Sequence, residues 1–350
     1  MSDISKIDKN FAIETKIEKE GIKFYDPEEA PFSIHGVFRE GESLVRLPES
    51  VARGTNDGVL GLYRHTAGGR IRFVTDSPYV AISVKYNVIS KMTHIALAGS
   101  AGFDVFVDGK YSSTFRPDWN VTEHMEGLNN LPEGKKCVTI NMPLYSGVDK
   151  IYIGLDENAV VEKAPEYTIS KPVVYYGSSI TQGGCASKPG SCYQSILERR
   201  FDFDYVNLGF SGSARGEDCM ADYIASLDMS LFVYDYDHNA PSHEHLLNTH
   251  ERMFLRIREK NPELPIIMMS RPRYESTPDV LGRLDIIKRT YANAIARGDK
   301  KVWLIDGREL MSIVKDNGTV DGCHPTDSGF FNMAKRLGDE IEKNYSLIFG

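Results

Sequence analysis

The chain has 350 residues, a formal net charge of −8, and 41% hydrophobic and 26% charged residues. That balance is ordinary for a globular protein with room for two cores, and its acidic sign argues against a nucleic-acid partner, which calls for a basic face. No run approaches the roughly eighteen apolar residues of a membrane span, so no membrane partner is expected.

The first ten residues are charged and lack an apolar core segment, so they do not read as a signal peptide. The cysteines are odd in number and scattered: Cys137, Cys185, Cys192, Cys219 and Cys323. Without an export signal, free thiols in a reducing cytoplasm are the expectation.

Residues 1–166 read as a β-rich domain. The segments 71–74, 80–86 and 150–153 cluster or alternate β-branched and aromatic residues, and Ala67-Gly68-Gly69, Asp76-Ser77-Pro78 and Pro132-Glu133-Gly134 punctuate them. Phe103-Asp104-Val105-Phe106-Val107 runs into Asp108-Gly109 and then Lys110-Tyr111. An Asp-Gly pair between two such runs predicts a type I′ hairpin, because both positions tolerate positive φ. Short strands, regular turns and almost no helical period predict a β-sandwich of jelly-roll type.

Residues 167–350 change character. Apolar strand candidates at 173–176, 205–208, 231–234, 266–269 and 302–305 alternate with amphipathic helices at 193–200, 218–227, 242–260, 277–297 and 328–345. Regular βα alternation predicts a parallel sheet with helices on both faces. The domain joint is expected around Glu162-Lys163-Ala164-Pro165-Glu166.

Four clusters fall just after a predicted strand or near the same sheet edge, where open α/β sheets bind ligands. They are Gly177-Ser178-Ser179-Ile180-Thr181-Gln182-Gly183, Gly209-Phe210-Ser211-Gly212, Asp235-Tyr236-Asp237-His238-Asn239 and Asp321-Gly322-Cys323-His324-Pro325. Together they permit acyl transfer. A serine hydroxyl such as Ser179 needs a neighbouring base, His324 suits that task, and Asp321, three residues away, can fix the imidazole's tautomer. The backbone N–H groups of Ser179 and Gly212 and the side-chain amide of Asn239 are candidate oxyanion donors. Each element has a plainer reading as well. The Ser179 turn can be a simple connection, Asp321 a helix cap, Gly212 a turn residue and Asn239 the cap of the helix near Ser242.

The four clusters resemble the four blocks of the SGNH (GDSL-type) hydrolases. The resemblance implies a flavodoxin-like hydrolase domain in which Ser179 is the nucleophile, Gly212 and Asn239 are oxyanion donors, His324 is the base and Asp321 its orienting acid, with no metal or organic cofactor. Gly102-Phe103-Asp104-Val105-Phe106 further resembles the GxDLY motif of the β-domain that precedes one branch of these enzymes. Two positions depart from the pattern. Ser178 stands where aspartate commonly precedes the serine, which leaves a register open in which Ser178 is the nucleophile. The third block reads Asp237-His238-Asn239-Ala240 rather than Gly-x-Asn-Asp.

Other readings of these residues compete. His238, His243, His245 and His250 with Asp235 and Asp237 invite a metal, yet His243 and His245 point to different sides of a helix and no His-Glu-x-x-His occurs. The glycine-rich turn lacks the Lys-Ser/Thr of a phosphate loop. Arg271, with Arg273, is either a cleft residue or a surface charge. Trp119 is either a sugar-stacking platform from the first domain or a packing residue. The expectation is a serine esterase, and the resemblance further implies that it removes O-acetyl groups from carbohydrates, its partner being a small-molecule or oligosaccharide ester. A lipase or thioesterase acting on longer chains and a non-catalytic carbohydrate-binding protein are the alternatives. A sandwich beside a catalytic domain also offers a surface for a homo-oligomer.

Overall fold

In the first half of the chain, apolar residues spaced two apart put one face of each strand into a shared interior. Ile71 and Phe73, Val80, Ile82 and Val84, Phe103, Val105 and Val107, Val138 and Ile140, and Ile151, Ile153 and Leu155 all meet in one core. The computed structural model describes residues 15–350, so the leader-free reading of residues 1–10 lies outside the described residues.

Two antiparallel sheets enclose that core. One orders Ile22–Tyr25, Gly147–Asp156, Tyr79–Val88 and His124–Asn130. The other orders Val161–Glu162, Arg70–Thr75, Lys136–Asn141, Phe103–Val107 and Lys110–Phe115, with Ser33–His35 also paired to Arg70–Thr75. The predicted hairpin is present: Asp108 (φ 49°) and Gly109 (φ 74°) both lie in the left-handed region between antiparallel partners. Two helices, Glu49–Thr55 and Asp57–Leu62, were not expected. Each is about two turns long, too short to show a 3.6-residue period among irregular neighbours.

The second half forms five parallel strands, β1 (Ile169–Gly177), β2 (Phe203–Gly209), β3 (Leu231–Asp235), β4 (Ile266–Met269) and β5 (Val302–Ile305), in the order 2-1-3-4-5. After β1 comes a single turn, α1 (Ser179–Gln182). The longer helices are α2 (Tyr193–Phe201), α3 (Asp218–Ser226), α4 (His243–Lys260), α5 (Pro278–Ala296) and α6 (Asp327–Lys343). Strand alternation sorts them: Val174 and Tyr176 face Ile224, Phe254 and Ile287 of α3, α4 and α5, whereas Val173 and Tyr175 face Leu197 and Met333 of α2 and α6. The fold is therefore a doubly wound parallel sheet behind an antiparallel β domain. Its chain order reverses between β1 and β3, and the carboxyl edge at such a reversal opens a crevice.

Buried charges join the two halves. Arg46 donates to the carbonyls of Asn207 (3.1 Å) and Gly209 (2.6 Å) at the end of β2. Arg70 lies over the Tyr205 ring and pairs with Asp204. Asp104, fully buried, accepts from the amide of Asn141 (2.8 Å) in its own sheet and from the backbone N–H of Gly190 (2.7 Å) in the loop leading to α2. Among the described residues, no helix is long and apolar enough to cross a membrane.

Candidate active site

Strand β1 ends at Gly177 and hands the chain to α1 at the reversal point. Ser178 caps that turn, its Oγ accepting from the N–H of Ile180 at 3.2 Å, and Gly183 (φ 115°) closes it. A side chain at Gly209 would place its Cβ 2.1 Å from the backbone nitrogen of Gln182, so glycine there lets β2 lie directly against α1. Ser179 is left at the start of the turn, with its Oγ 2.8 Å from Nε2 of His324.

His324 lies on the loop between β5 and α6. Its Nδ1 is 2.8 Å from Oδ2 of Asp321, while Oδ1 of Asp321 accepts from the backbone N–H groups of Cys323 (3.0 Å) and His324 (2.8 Å). The three-residue spacing works because Gly322 takes φ 79° and folds the aspartate back over the loop. Burial pushes the Asp321 carboxyl up, but the N–H and ring of His324 outweigh it and hold it down at about 2. An ionised Asp321 accepts a hydrogen bond from Nδ1–H, which in the neutral imidazole leaves Nε2 free to accept from Ser179.

The two other predicted donors come from β2 and β3, which flank β1. Gly212 is exposed with φ 68° and open space where a Cβ would stand. Asn239 follows the single turn Tyr236–His238, and its Nδ2 donates to the carbonyl of Phe210 at 2.9 Å, two residues from Gly212. That bond ties the second and third clusters together and uses one of the two amide hydrogens.

Cys323 adds an element that the sequence reading left as a plain free thiol. Its Sγ lies 3.0 Å from Nε2 of His238. Burial pushes the thiol up, yet His238 and His324 bring it down to about 6. The Cys323 sulfur in turn raises His324; burial opposes this, Asp321 supports it, and the net result is about 9. Sulfur and imidazole here favour a thiolate beside an imidazolium.

The first half of the chain also reaches the site. Tyr145, buried, donates its hydroxyl to the carbonyl of Ser179 at 2.9 Å. Gln182 donates to the carbonyl of Leu144 (3.1 Å), contacts Nδ1 of His65 (3.1 Å) and accepts from the N–H of Ser211 (3.0 Å). The ring of His94 stands 5.5 Å from that of His324. The contacts of Leu144, Tyr145, His65 and His94 cross from one half of the chain to the other and carry no local sequence signal.

The sequence model of the GDSL-like lipase/acylhydrolase family matches residues 170–342, and that of the GxDLY N-terminal domain of SGNH-type esterases matches residues 22–161. The chain belongs to the GDSL-like lipase/acylhydrolase family. Among solved structures, a Bacteroides ovatus protein assigned as a GDSL-like lipase aligns with a TM-score of 0.84 at 25% identity, over 93% of this chain and 98% of its own. The salicylyl-acyltransferase SsfX3 from a tetracycline biosynthetic pathway aligns at 0.76 and 21% identity, over 95% and 100%. An acetyl xylan esterase from the rumen bacterium Butyrivibrio proteoclasticus aligns at 0.61 and 12% identity, over 93% and 99%. At those identities the last two show a shared fold. No curated protein matches the sequence.

Against the family pattern, Ser178 does the capping that an aspartate can do, since both are favoured N-cap residues. In the third block, Asp237 is buried with its backbone carbonyl held by Arg283 at 2.5 Å, which fixes the turn before Asn239. Arg271 is buried and its guanidinium pairs with Asp279, at the start of α5; Arg273 pairs with Glu275. Trp119 is 63% exposed, with the Lys91 ammonium 5.9 Å over its ring. Of the histidines after β3, His243 pairs with Asp279, His245 contacts the carbonyl of Arg215, and His250 is buried against Tyr234 and Thr290.

Proposed function

We propose that the chain is a serine esterase that removes O-acetyl groups from carbohydrates through an acyl-enzyme. The observation that carries this reading is the continuous relay from Ser179 Oγ to His324 Nε2 (2.8 Å) and from His324 Nδ1 to Asp321 (2.8 Å). Ser179 Oγ attacks the acyl carbon as its proton passes to Nε2 of His324. The backbone N–H groups of Ser179 and Gly212 and the free amide hydrogen of Asn239 hold the oxyanion. His324 then returns the proton to the departing sugar oxygen, which leaves as the alcohol. A water molecule, deprotonated by the same nitrogen, repeats the sequence on the acyl-enzyme and releases acetate and Ser179. These steps place no demand on a metal or cofactor.

The carbohydrate part of the reading draws on the acetyl xylan esterase among the structures of the same fold. Lys91 and the exposed Trp119 belong to the half of the chain that sends His94 to the site, and an exposed indole suits stacking on a sugar face. The test is hydrolysis of p-nitrophenyl acetate and octanoate, followed by acetate release from acetylated xylo- and manno-oligosaccharides. Acetate preference with a Ser179→Ala variant reduced to background supports the proposal. Undiminished hydrolysis by that variant overturns the mechanism, and a preference for octanoate overturns the substrate class.

A further inference from the structure

Around His324 the fold gathers more soft donors than acyl transfer uses. A nitrogen of His94, the sulfur of Cys185 and a nitrogen of His324 lie within 4.8 Å of one another. They come from three separate places: His94 from the first half of the chain, Cys185 from the loop after α1, and His324 from the loop before α6. Cys185 is held in place by its backbone N–H, which donates to the carbonyl of Pro325 at 2.9 Å, so its loop and the His324 loop are fixed relative to each other. Cys185 is buried and His94 is exposed, which gives the trio an inner sulfur and an outer imidazole with a path to solvent.

We propose that His94, Cys185 and His324 form an inhibitory site for a borderline-soft divalent cation of the Zn²⁺ type. Two imidazoles and a thiolate are a donor set that zinc takes, and three protein ligands leave a fourth position for water. Donors about 2.0–2.3 Å from a tetrahedral ion stand roughly 3.5 Å apart, so the trio, within 4.8 Å now, closes by at most about 1.3 Å, within reach of an exposed His94 side chain. On binding, the Cys185 thiol and the His324 imidazolium each release a proton to solvent. Inhibition follows from the bonds already present. Whichever nitrogen of His324 the ion takes is withdrawn either from Ser179 or from Asp321. The binding claim stands independently; the inhibition claim rests on the esterase reading above.

The experiment titrates Zn²⁺ alone into the full chain, by calorimetry and by competition with a chromophoric chelator, while esterase activity is followed in parallel. One ion per chain is expected, with loss of activity that tracks occupancy and returns on adding EDTA. Cys185→Ser and His94→Gln, each compared with its own rate in chelator, weaken both binding and inhibition by at least about tenfold. Ser179→Ala retains zinc binding, which separates failure of this site from failure of the esterase assignment. Absence of one-to-one binding overturns the proposal. So does binding and inhibition unchanged in both variants, as does loss confined to Cys323→Ser, which moves the ion to the His238–Cys323 pair.

Discussion

Replacing Asp104 by asparagine tests how the two halves are coupled, through the pH dependence of stability. Asp104 is fully buried, and although Asn141 and the N–H of Gly190 stabilise its carboxylate, burial wins and pushes its pKa from the ordinary 3.8 to about 6. The folded protein therefore holds this proton more tightly than the unfolded chain does. Stability from this group is present below about pH 4, falls as the pH rises through the interval between the two values, and stays reduced above about 6. Integrating the linkage between pH 4.5 and 7 gives a loss of about 2 kcal/mol that the uncharged asparagine does not suffer. Asparagine also turns an N–H toward one of the two donors that Asp104 now accepts from, which destabilises the variant by about 1–3 kcal/mol at every pH. Urea unfolding of both proteins at pH 4.5, 5.5, 6.5 and 7.5 should show the variant at its greatest disadvantage in acid and recovering about 2 kcal/mol by neutrality. A difference independent of pH, or one that widens toward neutrality, would refute the reasoning.

Other consequences follow for activity. Ser179→Ala should lower kcat/KM by about 10⁴-fold or more, whereas Ser178→Ala should lose about 1 kcal/mol of stability with the cap and retain most activity; a reversed pattern would assign the nucleophile to Ser178. Asn239→Ala should reduce kcat about 10²-fold with little change in KM, and an effect confined to KM would remove it from the oxyanion site. Because His324 must be neutral to accept the Ser179 proton, kcat/KM should climb with pH through an apparent pKa near 9. Cys323→Ser should shift that limb toward the ordinary histidine value, since it removes the sulfur that favours the imidazolium; an unmoved profile would separate Cys323 from the titration.

The parallel sheet is legible because each strand is a short apolar run and each long helix a clean amphipathic one. The strands at 266–269 and 302–305 end where the patterning ends: the first is fully buried, the second is the partly buried edge strand, and a polar residue, Ser270 or Asp306, follows each. The two short helices before Tyr63 escape the same reading because neither completes enough turns to repeat. At the site, Ser179, Asp321 and His324 are visible as residues that follow strands or open a helix. Their surroundings are not: the contacts of Tyr145, His65 and His94 join positions more than a hundred residues from their partners or lie in loops without periodicity. Cys323 stands inside a visible motif, yet its pairing with His238 depends on how the loops after β3 and β5 approach each other. Arg271 illustrates the converse, a charge whose position after β4 suggests a cleft residue but whose partner, Asp279, lies eight residues on.

The bonds from Leu144, Tyr145 and His65 to the turn that carries Ser179 make the two halves co-inherited parts. A chimaera that paired this α/β half with the β domain of a distant relative would present Gln182 and the Ser179 carbonyl to strangers. Substitutions along this seam should therefore drift in matched pairs across the joint, and recombination between family members should succeed when the crossover leaves both sides of the seam from one parent.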